Sequence, residues 1–143
     1  MRGALLAAML CASVAAAADW RTVGEAGALL YDAPSVQATP LYVVTALYPL
    51  EVIVELEAWA KVRDHTGAIT WVQKGTLTEK RAVLVTAPAT LVHLRPEDDA
   101  PVAFVAAQSV ALELLEAAPG GWLHVRHADG ADGYLRASAA WGH

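Results

Sequence analysis

The stretch WAKVRDHTGAITWV, residues 59–72, recurs without a gap as WLHVRHADGADGYL, residues 122–135. Both copies have a leading tryptophan, a valine followed by an arginine, a central glycine, and an aromatic residue followed by an aliphatic one. Each copy alternates apolar and polar residues on both sides of a glycine-bearing turn, which is the pattern of a β-hairpin. The chain therefore predicts two related small β units in tandem.

The repeat extends upstream of each hairpin. The turn around Pro34 matches the turn around Pro96 with one slip in register. Glu51 and Glu55 could share one face of a helix, but three consecutive β-branched residues between them favour a strand. Residues 19–27 are interpreted as a lead-in, and residues 112–118 are the best remaining helical candidate. The other short apolar runs predict strands at residues 28–31, 41–44, 50–56, 82–86, 90–94, 102–105 and 110–116.

Short strands at regular turn spacing indicate an all-β chain of two small barrels. We place the first unit at residues 19–79 and the second at residues 80–143. The link between them, residues 78–81, is short and charged. A short link and apolar strands predict that the two units pack on one another, and Trp20 is expected to pin the lead-in.

The N-terminus has the pattern of a secretory signal peptide, residues 1–18. A short positive start precedes an apolar run that ends in Ala16-Ala17-Ala18, a suitable cleavage site. The alternative is a membrane anchor, but the run is shorter than the roughly 20 residues that a spanning helix needs. Leu10 before Cys11 argues against a lipoprotein anchor. The prediction is a periplasmic or secreted protein with no membrane span after cleavage.

Composition excludes several functions for the processed chain. Cys11 is the only cysteine, and it lies in the predicted signal peptide, so disulfides, thiolate metal sites and a cysteine nucleophile are excluded beyond it. Removal of Arg2 leaves nine Lys and Arg against fifteen Asp and Glu, a net charge of −6. Such an acidic chain without a basic block is a poor partner for nucleic acid or for anionic membranes.

Both units resemble the bacterial SH3-like (SH3b) domain. Residues 121–126, GWLHVR, resemble the family's G-W-x-x-V-x strand, and residues 130–135, GADGYL, resemble the strand that follows it. Residues 91–96 resemble a degenerate opening segment of the family. The first unit departs further, since Ala58 and Thr70 stand where glycines are expected. The duplicated pattern is similar to exported proteobacterial proteins that consist of a signal peptide and two such domains.

The resemblance implies small, partly open barrels of five or six strands that bind rather than catalyse. Members of the family often target hydrolases to peptidoglycan or present a groove to peptides. The expected partner is therefore a peptide or a cell-wall fragment. The alternative is a scaffold subunit of a cell-envelope complex that recruits an envelope protein through exposed strand edges.

The hairpin aromatic residues are the first candidates for a ligand groove. The alternative role of these aromatic residues is packing within the barrel. Arginines at matched positions could bind the carboxylate of a ligand, or could instead pair across the sheet with an acidic neighbour. In residues 122–125, strand alternation places Trp122 and His124 on one face, and Leu123 and Val125 on the other. If Leu123 and Val125 point into the core, Trp122 points outward. If only one copy binds a ligand, we expect it to be the second, because its glycines would let a ligand approach the backbone. The candidate groove residues are Trp59, Trp71, Trp122, Tyr134, Arg63 and Arg126.

Metal binding and catalysis have weak support in the sequence. His124 and His127 lie close to Asp129, but the two histidines would point to opposite faces of a regular strand. Asp129 is explained more simply as a turn residue beside Gly130. No serine lies in a nucleophile elbow, and no glycine loop has the pattern of a phosphate site. We expect no metal, no cofactor and no enzymatic activity.

Overall fold

The computed structural model describes residues 17–143, which form two antiparallel seven-stranded sheets in succession. The all-β prediction is confirmed. The predicted signal peptide, residues 1–18, lies almost wholly outside the described residues. Within residues 17–143, no helix has the length and apolar character required to cross a membrane.

The first sheet forms the first unit, and the second sheet forms the second. A short 3₁₀ helix precedes the last strand of each unit, at Lys74–Thr76 and at Ala137–Ala139. The first unit contains β1 (Asp19–Val23), β2 (Ala28–Tyr31), β3 (Pro40–Val44), β4 (Pro49–Glu55), β5 (Trp59–Arg63), β6 (Ile69–Gln73) and β7 (Leu77–Thr78). The second contains β8 (Ala82–Val85), β9 (Ala89–His93), β10 (Val102–Ala107), β11 (Ala111–Ala118), β12 (Trp122–Arg126), β13 (Asp132–Arg136) and β14 (Ala140–Trp141).

The two sheets have the same strand order. It is β3-β2-β6-β5-β4-β1-β7 in the first unit and β10-β9-β13-β12-β11-β8-β14 in the second. The repeated hairpins, β5–β6 and β12–β13, lie near the middle of each sheet. The register of β4 on β5 shifts after Val52, and that of β11 on β12 shifts after Leu114. The duplication seen in the sequence is therefore a duplication of the whole sheet, including its irregularity.

Alternation along the hairpin strands builds each core. Ala60, Val62 and Val72 are fully buried in the first unit, as are Val125 and Leu135 in the second. These residues point to one face because successive side chains of a strand lie on opposite sides. Their partners at the intervening positions therefore share the opposite face of the hairpin, where the candidate groove residues lie.

One expectation for local structure is wrong, and one open alternative is decided in favour of a strand. The supposed lead-in contains β1, which pairs with both β4 and β7, and Thr22 and Val23 within it are buried. Its mixed sequence carries no strand signal of its own, and pairing on two sides supplies the stability instead. Residues 112–118, the helical candidate, belong to β11, because β8 and β12 flank that segment and Leu112 alternates into the core. The strand expected at residues 82–86 is β8, the counterpart of β1.

The two units are in contact, as the short link predicts. The rings of Trp20 and Trp141 pack edge to face with centroids 4.7 Å apart. Pro49 of the first unit lies so close to Gly142 that a Cβ there would stand 3.0 Å from the Pro49 Cβ. On the link itself, Lys80 lies 3.5 Å from Glu113 of β11. Trp20 therefore does fix the start of the described chain, against the last strand of the other unit.

Candidate ligand-binding face

In the first unit, the face of the β5–β6 hairpin that points away from the core carries a cluster of aromatic side chains. Trp59 packs edge to face on Tyr31 at a centroid distance of 5.3 Å, and Tyr31 pairs across the sheet with Trp71. The Lys61 ammonium lies 5.8 Å from the centre of the Trp71 ring. Both tryptophans are half-buried, so each keeps part of its ring available to a ligand.

In the second unit, the equivalent tryptophan is closed off. Trp122 is only 4% exposed, although it lies on the side of the hairpin away from the core. The guanidinium of Arg136 covers its ring at 4.2 Å, and His93 packs against it at 5.6 Å between centroids. The same guanidinium bonds both carboxylate oxygens of Asp98 and the carbonyl of Gly120. The question left open by the alternation is thus answered: Trp122 turns away from the core and is then covered.

Tyr134, the counterpart of Trp71, is held in a stack. Its ring lies parallel to that of His124, at 4.5 Å between centroids and 10° between planes. His124 in turn sits 3.7 Å from Glu116 and 3.6 Å from Asp132. The tyrosine therefore shares one ring face with a neighbour that is itself placed between two carboxylates.

Two positions account for the difference between the faces. The repeat aligns Gln73 with Arg136 and Val36 with Asp98, so the first unit has neither partner of the arginine–carboxylate pair. Beside the first face is a depression of about 290 Å³, lined in part by Leu29, Tyr31, Val43 and Gln73. Its volume is close to the lower end of the range of ligand pockets, roughly 300 Å³.

The matched arginines have acidic neighbours on adjacent strands. Arg63 Nη1 donates to Glu51 at 2.8 Å, and the two residues are partners across β4 and β5. Arg126 is less tightly held, with one nitrogen 3.6 Å from its cross-strand partner Asp132. These are the cross-strand pairs that the sequence offered as the alternative to ligand binding. A role of either arginine in the aromatic groove stays a prediction.

Gly133 of the second hairpin serves the fold. A Cβ on Gly133 would meet the backbone oxygen of His93 at 2.6 Å, so the missing side chain admits strand β9 rather than a ligand. The first unit has Thr70 at this position, buried at 2% exposure. Among the described residues, the Thr70 hydroxyl has no hydrogen-bond partner. Gly133 therefore gives no support to the expectation that glycines open the second copy to a ligand. For Gly121, where a Cβ would meet no atom of the described residues within 4 Å, that expectation stays a prediction.

The histidines of the second hairpin are separated as the strand pattern predicts. His124 stacks on Tyr134, whereas His127 lies beside Asp129 in the turn, 3.2 Å from its carboxylate. The Ala131 N–H donates to this carboxylate, and with His127 it holds the pKa of Asp129 below its ordinary value. Gly130 has a φ of 91°, so the segment is a tight turn. In residues 17–143, no group of three or more His, Cys, Asp or Glu side chains is arranged to hold a metal ion.

The sequence missed the residues that open or close the two faces. Tyr31 and His93 lie at matched positions before the Pro-bearing turns and reach their tryptophans through the sheet. Asp98 and Arg136 belong to a loop and a strand that are far apart in the chain. The available signal was the repeat itself: positions where its two copies differ in charge, such as Gln73 against Arg136, mark where the faces differ.

The sheets and their hairpins define a tandem of small β-barrels, and the comparison with protein families agrees. The model of the bacterial SH3 domain matches residues 24–79 and again residues 89–142. The chain therefore belongs to the bacterial SH3 domain family, with two copies of the domain. Domains of this family are typically binding modules and suggest an interaction with cell-wall material. The comparison with curated proteins gave no match.

Solved structures with a related arrangement come from larger proteins. NlpC2 from Trichomonas vaginalis aligns at 14% identity and a TM-score of 0.41, over 87% of this chain and 48% of that one. NlpC1 from the same organism aligns at 15% and 0.40, over 95% and 50%. An NlpC/P60 family protein from Bacillus cereus aligns at 16% and 0.36, over 85% and 55%. The chain thus spans about half the length of these structures.

Proposed function

We propose that this chain is a non-enzymatic, exported binding module that recognises a peptide or a peptidoglycan fragment. The observation that carries the proposal is the aromatic face of the first unit, formed by Trp59, Trp71 and Tyr31. Membership of the bacterial SH3 domain family supports a binding role, and the N-terminal sequence pattern supports export to the periplasm or the exterior.

The chemistry of this face suits an extended ligand with apolar or ring surfaces. Partly exposed tryptophans offer large, rigid contact areas that lose little conformational entropy on binding. Lys61 beside Trp71 adds a positive charge next to an aromatic ring, where a ligand carboxylate could be held. The depression lined by Leu29 and Val43 continues the face toward strand β3 and gives apolar side chains a place to bind.

Retention on purified peptidoglycan sacculi tests the proposal. We expect Trp71→Ala to weaken retention at least about tenfold, the size of effect that truncation of an anchoring aromatic produces. Tyr134→Ala is the matched variant on the covered face, and its effect should be smaller because His124 already occupies one side of that ring. A native protein that sacculi do not retain, or a Trp71→Ala variant retained like the native protein, would contradict the proposal.

A second candidate function is a scaffold subunit that recruits an envelope protein. The observation in its favour is strand β3, which ends the first sheet with Leu41, Tyr42 and Val43 all exposed, the last at 77%. An apolar edge strand offers unpaired backbone groups to an added strand. Site-specific cross-linking from β3 to an identified envelope protein, abolished by Val43→Lys, would favour this function. Val105→Lys on the matching strand β10 is the control.

A further inference from the structure

A second concave region lies between the two units. It is a cleft of about 670 Å³, and it shares no lining residue with the depression beside the first aromatic face. Val23, Ala46 and Leu47 line it from the first unit, and Arg126, His127 and Ala128 line it from the second. Its volume is within the range of small-molecule sites, roughly 300–1,000 Å³.

The walls of this cleft are fixed relative to one another. Lys80 of the link lies at the cleft and pairs with Glu113 of the second unit at 3.5 Å. The buried hydroxyl of Thr22 in the first unit donates to the carbonyl of Lys80. The edge-to-face contact of Trp20 with Trp141 joins the two units as well. A site between two docked walls is preorganised, so a ligand does not bear the cost of ordering it.

The duplication shows that one cation in the cleft is left available. In the first unit, Glu51 and Arg63 are cross-strand partners and bond at 2.8 Å. The equivalent partners in the second unit are Glu113 and Arg126, but Glu113 is drawn to Lys80 of the link.

Within residues 17–143, Arg126 keeps only the 3.6 Å contact with Asp132, and its side chain is 45% exposed. Among the described residues its guanidinium makes no hydrogen bond. A guanidinium in this state can offer two parallel N–H groups to the carboxylate of a ligand.

The opposite wall provides a complementary charge and an apolar surface. Glu25 is exposed at the cleft and forms no ion pair within residues 17–143. Leu47 adds an apolar side chain from a tight turn, where its φ is 67° and its N–H bonds the Val23 carbonyl at 2.9 Å. Ser109 has the same turn in the second unit, with a φ of 69°, so the fold explains the backbone. Only the first unit has a leucine there.

We propose that the cleft between the units binds a short peptide with a free amino group and a free carboxylate. Arg126 receives the carboxylate, Glu25 receives the ammonium group, and the apolar side chains of the peptide lie on Leu47 and Ala46. This site is separate from the aromatic face, so it goes beyond the proposed function and does not depend on it.

Calorimetric titration of the processed chain with the tripeptide Ala-Ala-Ala tests the inference. We expect Arg126→Gln and Glu25→Gln each to weaken binding about tenfold, as loss of a hydrogen bond to a charged group does. Arg63→Gln is the matched control from the first unit and should leave the affinity unchanged, because Arg63 does not line the cleft. Both arginines are exposed, so neither substitution is expected to affect folding.

Blocked peptides identify which ligand group each residue receives. The C-terminal amide should bind more weakly than the free tripeptide and be insensitive to Arg126→Gln, and the N-acetylated peptide should be insensitive to Glu25→Gln. No binding at millimolar tripeptide, or equal losses from Arg126→Gln and Arg63→Gln, would overturn the inference. Loss of tripeptide binding in Trp71→Ala would also overturn it, by moving the peptide to the aromatic face. Retention on sacculi is a separate measurement, so either proposal can fail alone.

Discussion

The two units have one strand order but complete the same hairpin face in opposite ways. In the first, Trp59 and Trp71 remain half-buried beside a shallow depression. In the second, Arg136 covers Trp122 and bonds Asp98. Because the backbone plan is shared, a few side chains account for the difference. A duplicated domain can thus leave its outer aromatic face partly exposed in one copy and cover it in the other.

The same divergence appears at the glycine before the second aromatic residue. Gly133 lets β9 approach β13 closely, whereas Thr70 occupies the matching position between β2 and β6. His93 packs against Trp122 and helps to cover that ring, as Tyr31 packs against Trp59 in the first unit.

Among the substitutions that test this comparison, Gly133→Ala is expected to lower the free energy of unfolding the most. The new Cβ would lie 2.6 Å from the His93 backbone oxygen and 2.8 Å from the Val92 Cγ1. Because a backbone atom is the obstacle, β9 and β13 must separate, at a cost of up to about 3 kcal/mol. Urea unfolding measures the loss. Gly75→Ala is the control, since a Cβ there meets nothing within 4 Å. A Gly133→Ala protein as stable as the native one would contradict the close approach.

Trp141→Ala tests whether the open and covered units act as one body. Loss of its contact with Trp20 should destabilise the protein by about 2 kcal/mol, less than a fully buried tryptophan would cost because Trp141 is half-buried. NMR relaxation should then show the two halves tumbling more independently. Trp59→Ala, which removes a tryptophan away from the contact between the units, should leave the tumbling unchanged. Joint tumbling in Trp141→Ala would show that other contacts suffice.

Arg136→Gln should open the second face at small cost. The pair with Asp98 is largely solvent-exposed, so its loss is worth less than about 1 kcal/mol. The clearer readout is the indole N–H of Trp122, whose exposure to a soluble paramagnetic agent should rise to that of Trp59. Gln73→Arg combined with Val36→Asp is the reverse exchange and should lower retention on sacculi. An unchanged Trp122 signal in Arg136→Gln would show that His93 alone covers the ring.

The repeat predicted most of the fold because it reports on local alternation. Val62 and Val125 are buried and Arg63 and Arg126 exposed, as their positions in alternating strands require. β1 escaped prediction because its stability comes from strands on either side of it, which a local pattern does not contain. Residues 112–118 were open to both a strand and a helix from the sequence, and pairing with β12 decides for the strand.

The state of the aromatic face could be predicted only in part. The repeat identifies Trp59 and Trp122 as a matched pair. Strand alternation indicates that Trp122 points outward if Leu123 points inward. The cover over Trp122 could not be predicted, because it depends on a bond between Arg136 and Asp98, and Asp98 lies in a loop that is distant from Arg136 in the chain. Contacts of this kind depend on tertiary placement, which neither periodicity nor family motifs encode.

The smallest expected difference between the units is in how their stability depends on alkaline pH. It comes from the phenol of Tyr48, which lies in the first unit. The repeat places Val110 at the matching position of the second unit, where no charge can form. Burial, and then repulsion from Asp64, raises the pKa of the Tyr48 phenol above its ordinary value of 10.0. In the unfolded chain the phenol loses its proton first. Folding stability contributed by this group is therefore complete below pH 10.0 and declines as the pH rises toward the folded pKa.

Urea midpoints measured from neutral pH into the alkaline range test this sign. Tyr48→Phe removes the ionisable group while keeping the ring, so its stability should decline less steeply with pH than that of the native protein. The difference between the two curves isolates the contribution of Tyr48. Tyr42→Phe is the matched control, because Tyr42 is 52% exposed and lies on edge strand β3. If Tyr48→Phe followed the native curve, the phenol would be as easily ionised in the folded first unit as in the unfolded chain.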